Sequence, residues 1–146
     1  MTDLYLVVVI AGERVALPAE SVDSVIELDA VIPVPRAAPH VLGLSALRSR
    51  VLTVIDCKRS LELGDSGAVA AGPREAAVVD VEGHHYALLV DAVEDVVEAV
   101  AEPAPVRVAL DRGWVRVASS MIDTADGPLL LIEAAALIFG PEARAA

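Results

Sequence analysis

Two stretches decide the reading of this chain. V-V-I-A-G-E-R-V-A-L-P-A-E-S-V-D-S-V-I-E runs from Val8 to Glu27, and V-D-V-E-G-H-H-Y-A-L-L-V-D-A-V-E-D-V-V-E runs from Val79 to Glu98. One is a degenerate copy of the other. Gly12 and Gly83 lie 71 positions apart (83 − 12), and at that offset Val8/Val79, Ala16/Ala87, Leu17/Leu88, Val22/Val93, Val25/Val96 and Glu27/Glu98 are identical. Self-similarity at a fixed period means that one structural unit has been built twice.

Each copy carries the same physical grammar. An apolar strand reaches a polar turn, Ala11-Gly12-Glu13 or Glu82-Gly83-His84, and a second strand, Arg14–Leu17 or His85–Val90, returns beside it. That pattern is a β-hairpin. A short acidic segment follows, Ala19–Ser24 or Asp91–Asp95, and its apolar residues at three- to four-residue spacing predict one or two helical turns. Val25–Leu28 and Val96–Val100 then read as strands.

Each copy closes on a near-continuous apolar run, Arg50–Asp56 or Gly127–Glu133, as a strand covered on both faces requires. Pro33, Pro35 and Pro39 in the first copy, and Pro103 and Pro105 in the second, cannot donate to a ladder, so those stretches read as edge or crossover segments. Gly64–Pro73 reads as a loop between the halves, Glu133 or Ala134 to Phe139 as a helix stopped by Gly140-Pro141, and Glu142–Ala146 as a frayed end.

Composition narrows the class. The chain has 146 residues, 55% of them hydrophobic and only 3% aromatic, so its core must come from Val, Leu, Ile and Ala. β-Branched residues favour strands, and short strands with closely spaced turns suggest small barrels. The formal charge of −11 repels phosphate and argues against nucleic acid and anionic membrane surfaces. The segment from Arg36 to Arg59 departs from this balance. It holds Arg36, Arg48, Arg50, Lys58 and Arg59 against the single acid Asp56, and reads either as solvated charge or as a docking face for an acidic partner. The lone Cys57 allows no internal disulfide. No basic leader and no apolar run of about 20 residues is present, so the expectation is a cytoplasmic protein without a signal peptide or a spanning helix.

No catalytic constellation emerges. His84 and His85 are neighbours and point to opposite faces of a strand, and His40 is distant, so no metal site is expected. Cys57, Ser119 and Ser120 lie in no nucleophile motif, and Gly-rich phosphate loops are absent. Cys57 reads as a small core residue, and Asp91, Glu94, Asp95 and Glu98 read as a solvated face. The remaining asset is apolar surface at a seam between two small barrels, which suits protein–protein coupling.

These residues resemble the CheW-like coupling domains of bacterial chemotaxis over nearly the whole chain, from about Leu4 to Phe139. Three stretches carry the resemblance. Leu4–Leu28 is similar to the family's opening hairpin and "V-x-E-I" segment. Gly43–Asp56, G-L-S-A-L-R-S-R-V-L-T-V-I-D, is similar to its G-V-x-N-L-R-G-x-[VI]-[VI]-P-[VI]-[IV]-D motif. Leu89–Val97 is similar to its V-D-x-V-x-D-V stretch. Gly43, Arg48 and Asp56 fall on the motif's glycine, arginine and aspartate. Ser24, Ala46, Ser49 and Thr53 replace its glutamate, asparagine, second glycine and proline, and Ala118-Ser119-Ser120 stands where a glycine is expected.

The resemblance implies one CheW-like domain over residues 1–146. It would be mainly β, with two five-stranded, SH3-like barrel subdomains over about 1–66 and 74–140, short helices, and room for strand exchange between them. It implies a scaffold without catalysis or cofactor. The partners would be the cytoplasmic tip of a chemoreceptor and the CheW-like regulatory domain of a CheA-type histidine kinase, placing the protein at membrane receptor arrays through those partners. Val22, Gly43, Arg48 and Val96 are the expected receptor-groove residues, and the kinase-binding residues are unknown. Plain core packing is the competing reading for Val22 and Val96. For Arg48 the competitor is an internal bond to Asp56 or a backbone carbonyl. A divergent regulator of a non-motility kinase and a small β-barrel ligand carrier are the alternative functions.

Overall fold

The computed structural model describes residues 3–28, 30–64 and 74–141. The loop expected at Gly64–Pro73 (beyond Gly64) and the end at Glu142–Ala146 lie outside the described residues. Within the described residues, ten strands, three short helices and one 3-10 turn are formed. The strands are β1 (Leu4–Ile10), β2 (Glu13–Pro18), β3 (Val22–Leu28), β4 (Val41–Leu47), β5 (Arg50–Asp56), β6 (Arg74–Val81), β7 (His84–Leu89), β8 (Ala92–Glu98), β9 (Ala118–Thr124) and β10 (Gly127–Ile132). The helices are α1 (Cys57–Ser60), α2 (Arg112–Val117) and α3 (Ala134–Phe139), and the 3-10 turn spans Ala19–Ser21.

The repeat becomes a pseudo-twofold. One sheet has the order β8-β1-β2-β10-β9 and the other β3-β6-β7-β5-β4. Replacing each strand by its counterpart five places along the chain converts one order into the other. Each sheet therefore takes its central hairpin, β1–β2 or β6–β7, from one half of the chain and its remaining strands from the other. The hairpin turns repeat as well: Ala11 and Gly12 have φ of 54° and 82°, and Glu82 and Gly83 have 53° and 84°. These left-handed pairs match the right-handed twist of the flanking strands. The later strands β4 and β9 start 77 positions apart (118 − 41), against 71 for the hairpins. The six extra residues correspond in number to α2, which is 6 residues long.

Strands covered on both faces explain the high hydrophobic content. Alternate residues of β1 enter different cores. Leu6, Val8 and Ile10 join a central cluster between the sheets with Val15, Leu17, Ile55, Val79 and Leu88, whereas Tyr5 and Val7 pack inside their own barrel with Ala16, Ile122 and Leu129. The other barrel is filled by Leu28, Leu52, Val54, Ala76, Val78, Ala87 and Leu89. Leu17 and Leu88 are fully buried, each contributing about 1.5–3 kcal/mol by transfer from water. The proline segments stay outside the ladders, as expected. Single bridges, Ile32 with Leu44 and Ala104 with Met121, carry the chain across each barrel edge.

One element differs from expectation. The helical turn at Ala19–Ser24 is a 3-10 turn over Ala19–Ser21 alone, and its counterpart at Asp91–Asp95 is not helical, because β8 already begins at Ala92. The backbone there is claimed by distant partners. Asp91 N–H donates to Val9 O (2.8 Å) and Val93 N–H donates to the Glu75 carboxylate (2.8 Å). Those bonds hold the segment extended whatever its side-chain spacing.

Candidate functional site

The seam between the sheets is covered at one end by the short helices. At the Ile10 end of β1, the β1–β2 turn lines one shallow pocket with Lys58 of α1 and Trp114 of α2. Cys57, Leu61, Trp114, Val117 and Leu137 from the helical region plug the central core. Leu4 begins the same strand roughly 20 Å away, from about 3.3 Å per residue. An open groove of about 570 Å³ lies beside Leu4, lined by Asp3, Leu4, Tyr5, Pro18, Ala19, Glu20 and Leu131, all from β1 and the residue before it, β2, β10 and the 3-10 turn.

Pairing fixes which side chains share the core-facing side with Leu4. Leu6 points into the central cluster, and Leu4, two residues earlier on β1, shares that face. Val96 stands directly opposite Leu6 on the edge strand β8, so it shares the face too. Val22, at the start of β3, packs half-buried on the same cluster. Leu4 is 47% exposed and Val96 54%, a high exposure for aliphatic side chains on a core-facing side. Asp3 and Glu20 put acid at the margin. Burial, then Asp3 and Glu20, push the Tyr5 hydroxyl above its ordinary pKa, so it stays protonated at neutral pH.

The four residues singled out from sequence fall in three places. Val22 and Val96 lie on the inter-sheet face. Arg48 sits at the β4–β5 turn with φ of 58°, lining an open pocket with Asp23, Ser24, Leu47, Ser49 and Arg50. Asp56 is at the far end of β5, where its carboxylate accepts from Arg59 N–H (3.3 Å) and caps α1, so the Arg48–Asp56 bond does not form. Across this pocket the ion pair is Arg50 with Asp23 (3.4 Å), next to Ser24 where the family motif has glutamate. Both partners are about half exposed, so the pair contributes little to stability. Gly43 is buried, at φ 154°, and a β-carbon there would collide with the Ile32 carbonyl. Its role is to let the Ile32–Leu44 bridge close (2.8 and 2.9 Å).

Leu4, Tyr5, Pro18 and Ala19 were not singled out from sequence. The available signal was the alternation of β1, but only the hairpin exchange shows which of its faces opens on the seam.

The polar residues considered for chemistry are dispersed. His40 Nε2 bonds Ile138 O (2.7 Å), His85 lies beside Asp80 (3.5 Å), and Glu94 pairs with Arg14 (2.7 Å). Among the described residues no group of three metal-ligating side chains converges, and no helix is long and apolar enough to cross a membrane. Cys57 is fully buried, and burial, then Asp56 and Asp91, push its thiol far above the ordinary value of 9.0. Two outcomes follow. A thiol reagent should label native protein only at the unfolding rate. Stability should fall above about pH 9 by up to about 1.4 kcal/mol per pH unit, because the unfolded thiol ionises while the folded one keeps its proton. A Cys57→Ser variant with the same alkaline slope as wild type would remove this assignment.

Paired five-stranded barrels with exchanged hairpins, an open apolar rim and dispersed polar groups define a docking module. The CheW-like domain model matches residues 4–140, and the chain belongs to the CheW-like family. Its fold is similar to that of the scaffolding protein TtCheW from Thermoanaerobacter tengcongensis, with a TM-score of 0.75 and 24% identity over 91% of this chain and 90% of that one. It is also similar to Protein FrzA of Myxococcus xanthus, 32% identical over 74 residues. That match spans 51% of this chain and 44% of FrzA.

Proposed function

We propose that the chain is a non-catalytic, cytoplasmic adaptor of chemotaxis-type signalling. It couples the cytoplasmic tip of a chemoreceptor to the regulatory domain of a CheA-type histidine kinase, and lies beside the membrane only through those partners. The observation that carries this reading is the Leu4–Val22–Val96 rim, in which Leu4 and Val96 are exposed on a core-facing sheet side and Val22 packs half-buried on the central cluster. Such an edge suits an amphipathic helix laid along a groove. Membership of the CheW-like family and a fold shared with the scaffolding protein TtCheW support it. Arg48 is the polar anchor in this reading, since it is exposed and has no ion-pair partner among the described residues.

A second reading, a regulator of a kinase outside motility, is favoured by one feature. Ser24 removes the motif carboxylate beside Arg48, which changes what that pocket can accept.

A pull-down with purified cognate kinase and receptor tip fragments, wild type against Arg48→Ala, tests both. Capture of both partners by wild type, with the receptor alone weakened about tenfold in Arg48→Ala, supports the adaptor with an Arg48 anchor. Equal capture by both proteins moves the anchor elsewhere. Kinase capture without receptor capture favours the second reading, and no capture by folded wild type sinks both.

A further inference from the structure

The pseudo-twofold makes two rims from one plan. The counterparts of Leu4, Val96 and Val22 are Glu75, Val25 and Val93, each 71 positions away. Val25 stands opposite Ala77, a member of the central cluster, so it faces the seam as Val96 does, and it is 44% exposed. Val93 packs half-buried on that cluster, as Val22 does. The one change of character is at the first position, where an aliphatic leucine is replaced by a carboxylate.

We infer that Glu75 is the specificity-determining residue that confines partner docking to the Leu4 rim and keeps the pseudo-symmetric rim closed. Its carboxylate accepts from Val93 N–H at 2.8 Å, in a half-buried setting. In the other rim the equivalent N–H, that of Val22, is satisfied locally by Ala19 O through the 3-10 turn. The first copy therefore needs no side chain to cap its strand start, and Leu4 is free to present carbon. The second copy lacks the turn, so Glu75 both completes the strand start and sets a charge beside Val25 and Val93. An apolar helix docking there would strip water from that half-buried carboxylate without supplying a counter-charge, whereas Asp3, Glu20 and Glu98 beside Leu4 are exposed and can stay hydrated.

This inference rests on the adaptor reading and can be separated from it by a swap, using a purified receptor tip fragment as the titrant in calorimetry. Leu4→Glu should weaken binding about 30-fold or more. Adding Glu75→Leu should restore affinity to within about tenfold of wild type, with the fragment now on the second rim. Leu4→Glu with Glu75→Gln makes the same charge change but keeps an acceptor for Val93 N–H and a polar rim, and should not recover. Glu75→Ala in place of Glu75→Leu serves if the leucine variant folds poorly. Failure of the folded double variant to recover, or equal recovery by the glutamine control, overturns the inference. No binding by wild type overturns the adaptor reading and this inference with it.

Discussion

Replacing Val96 by Glu is expected to weaken receptor-fragment binding about 30-fold or more while leaving the fold intact. Val96 is 54% exposed on an edge strand, so a carboxylate there remains solvated in the free protein and stability should change by well under 1 kcal/mol. On docking, the same carboxylate would be carried onto an apolar helix face with no partner charge. The few residues that dominate an interface, clustered near its centre, cost about 2 kcal/mol or more when truncated, and about 2 kcal/mol is roughly a 30-fold loss. Introducing a buried charge exceeds a truncation, so that figure is a lower bound. Val115→Asp is the matched control. It adds the same charge at a 59%-exposed valine, but on α2, at the helix-covered end of the seam. Titration of the receptor fragment into the two variants, with thermal melts alongside, decides the matter. Equal losses in both would mean that net charge and not the rim governs binding, and an unaffected Val96→Glu would place the receptor elsewhere.

The rim was only half legible in the sequence, and the reason is physical. The two hairpins could be read from Gly12 and Gly83, the buried strands from Arg50–Asp56 and Gly127–Glu133, and α3 from its Gly140-Pro141 stop. Those signals are local: turn geometry, alternation and chain termination. Hairpin exchange is not local. That β1 lies beside β8 and β2 beside β10 rests on pairings such as Leu6 with Val96 and on the parallel contact of Leu130 with Val15. Nothing in the hydropathy of either strand names the other.

The same limit applied to Asp91–Asp95. Its acidic and apolar pattern predicts one or two helical turns, but Glu75 and Val9, remote in sequence, hold it extended. Val22 and Val96 were found through family motifs. Leu4 and Glu75 were not, because their meaning depends on which face of β1 and β6 opens on the seam. Arg48 was legible as a motif residue, while its neighbours across the pocket, Asp23 and Ser24, emerged only once β3 and the β4–β5 turn were brought together.

The largest stability effect is expected from Arg116→Ala, because Arg116 ties together the helices that close the other end of the seam. A short helix leaves its last carbonyls without intrahelical partners. In α3 three successive carbonyls accept from side chains elsewhere in the fold: Ala136 O, which also takes Gly140 N–H (3.1 Å), from Arg116 Nη1, Leu137 O from Ser60 Oγ (2.7 Å) and Ile138 O from His40 Nε2 (2.7 Å). Arg116 also reaches back to α1 through Nη2, to Ser60 O and, at 3.0 Å, to Ser60 Oγ. One planar guanidinium thus spans α2, α1 and α3, and Leu137, fully buried in the central core, depends on α3 staying docked. Truncation would leave Ser60 O without this partner and Ala136 O with Gly140 N–H (3.1 Å) still bonded, so a loss of about 1–3 kcal/mol is expected. Arg116→Lys should recover less than half, since a point charge cannot reproduce the fork. Trp114, the one tryptophan, lies buried on α2 and reports unfolding directly, so urea titrations followed by its fluorescence measure the loss. The double cycle with Ser60→Ala should show a coupling above about 0.5 kcal/mol, because the two side chains share a bond. An Arg116→Ala loss below about 0.5 kcal/mol, the usual range for a surface change, would mean that solvent caps α3 as well as the arginine does, and that the helical plug is held by Leu137 and its apolar neighbours alone.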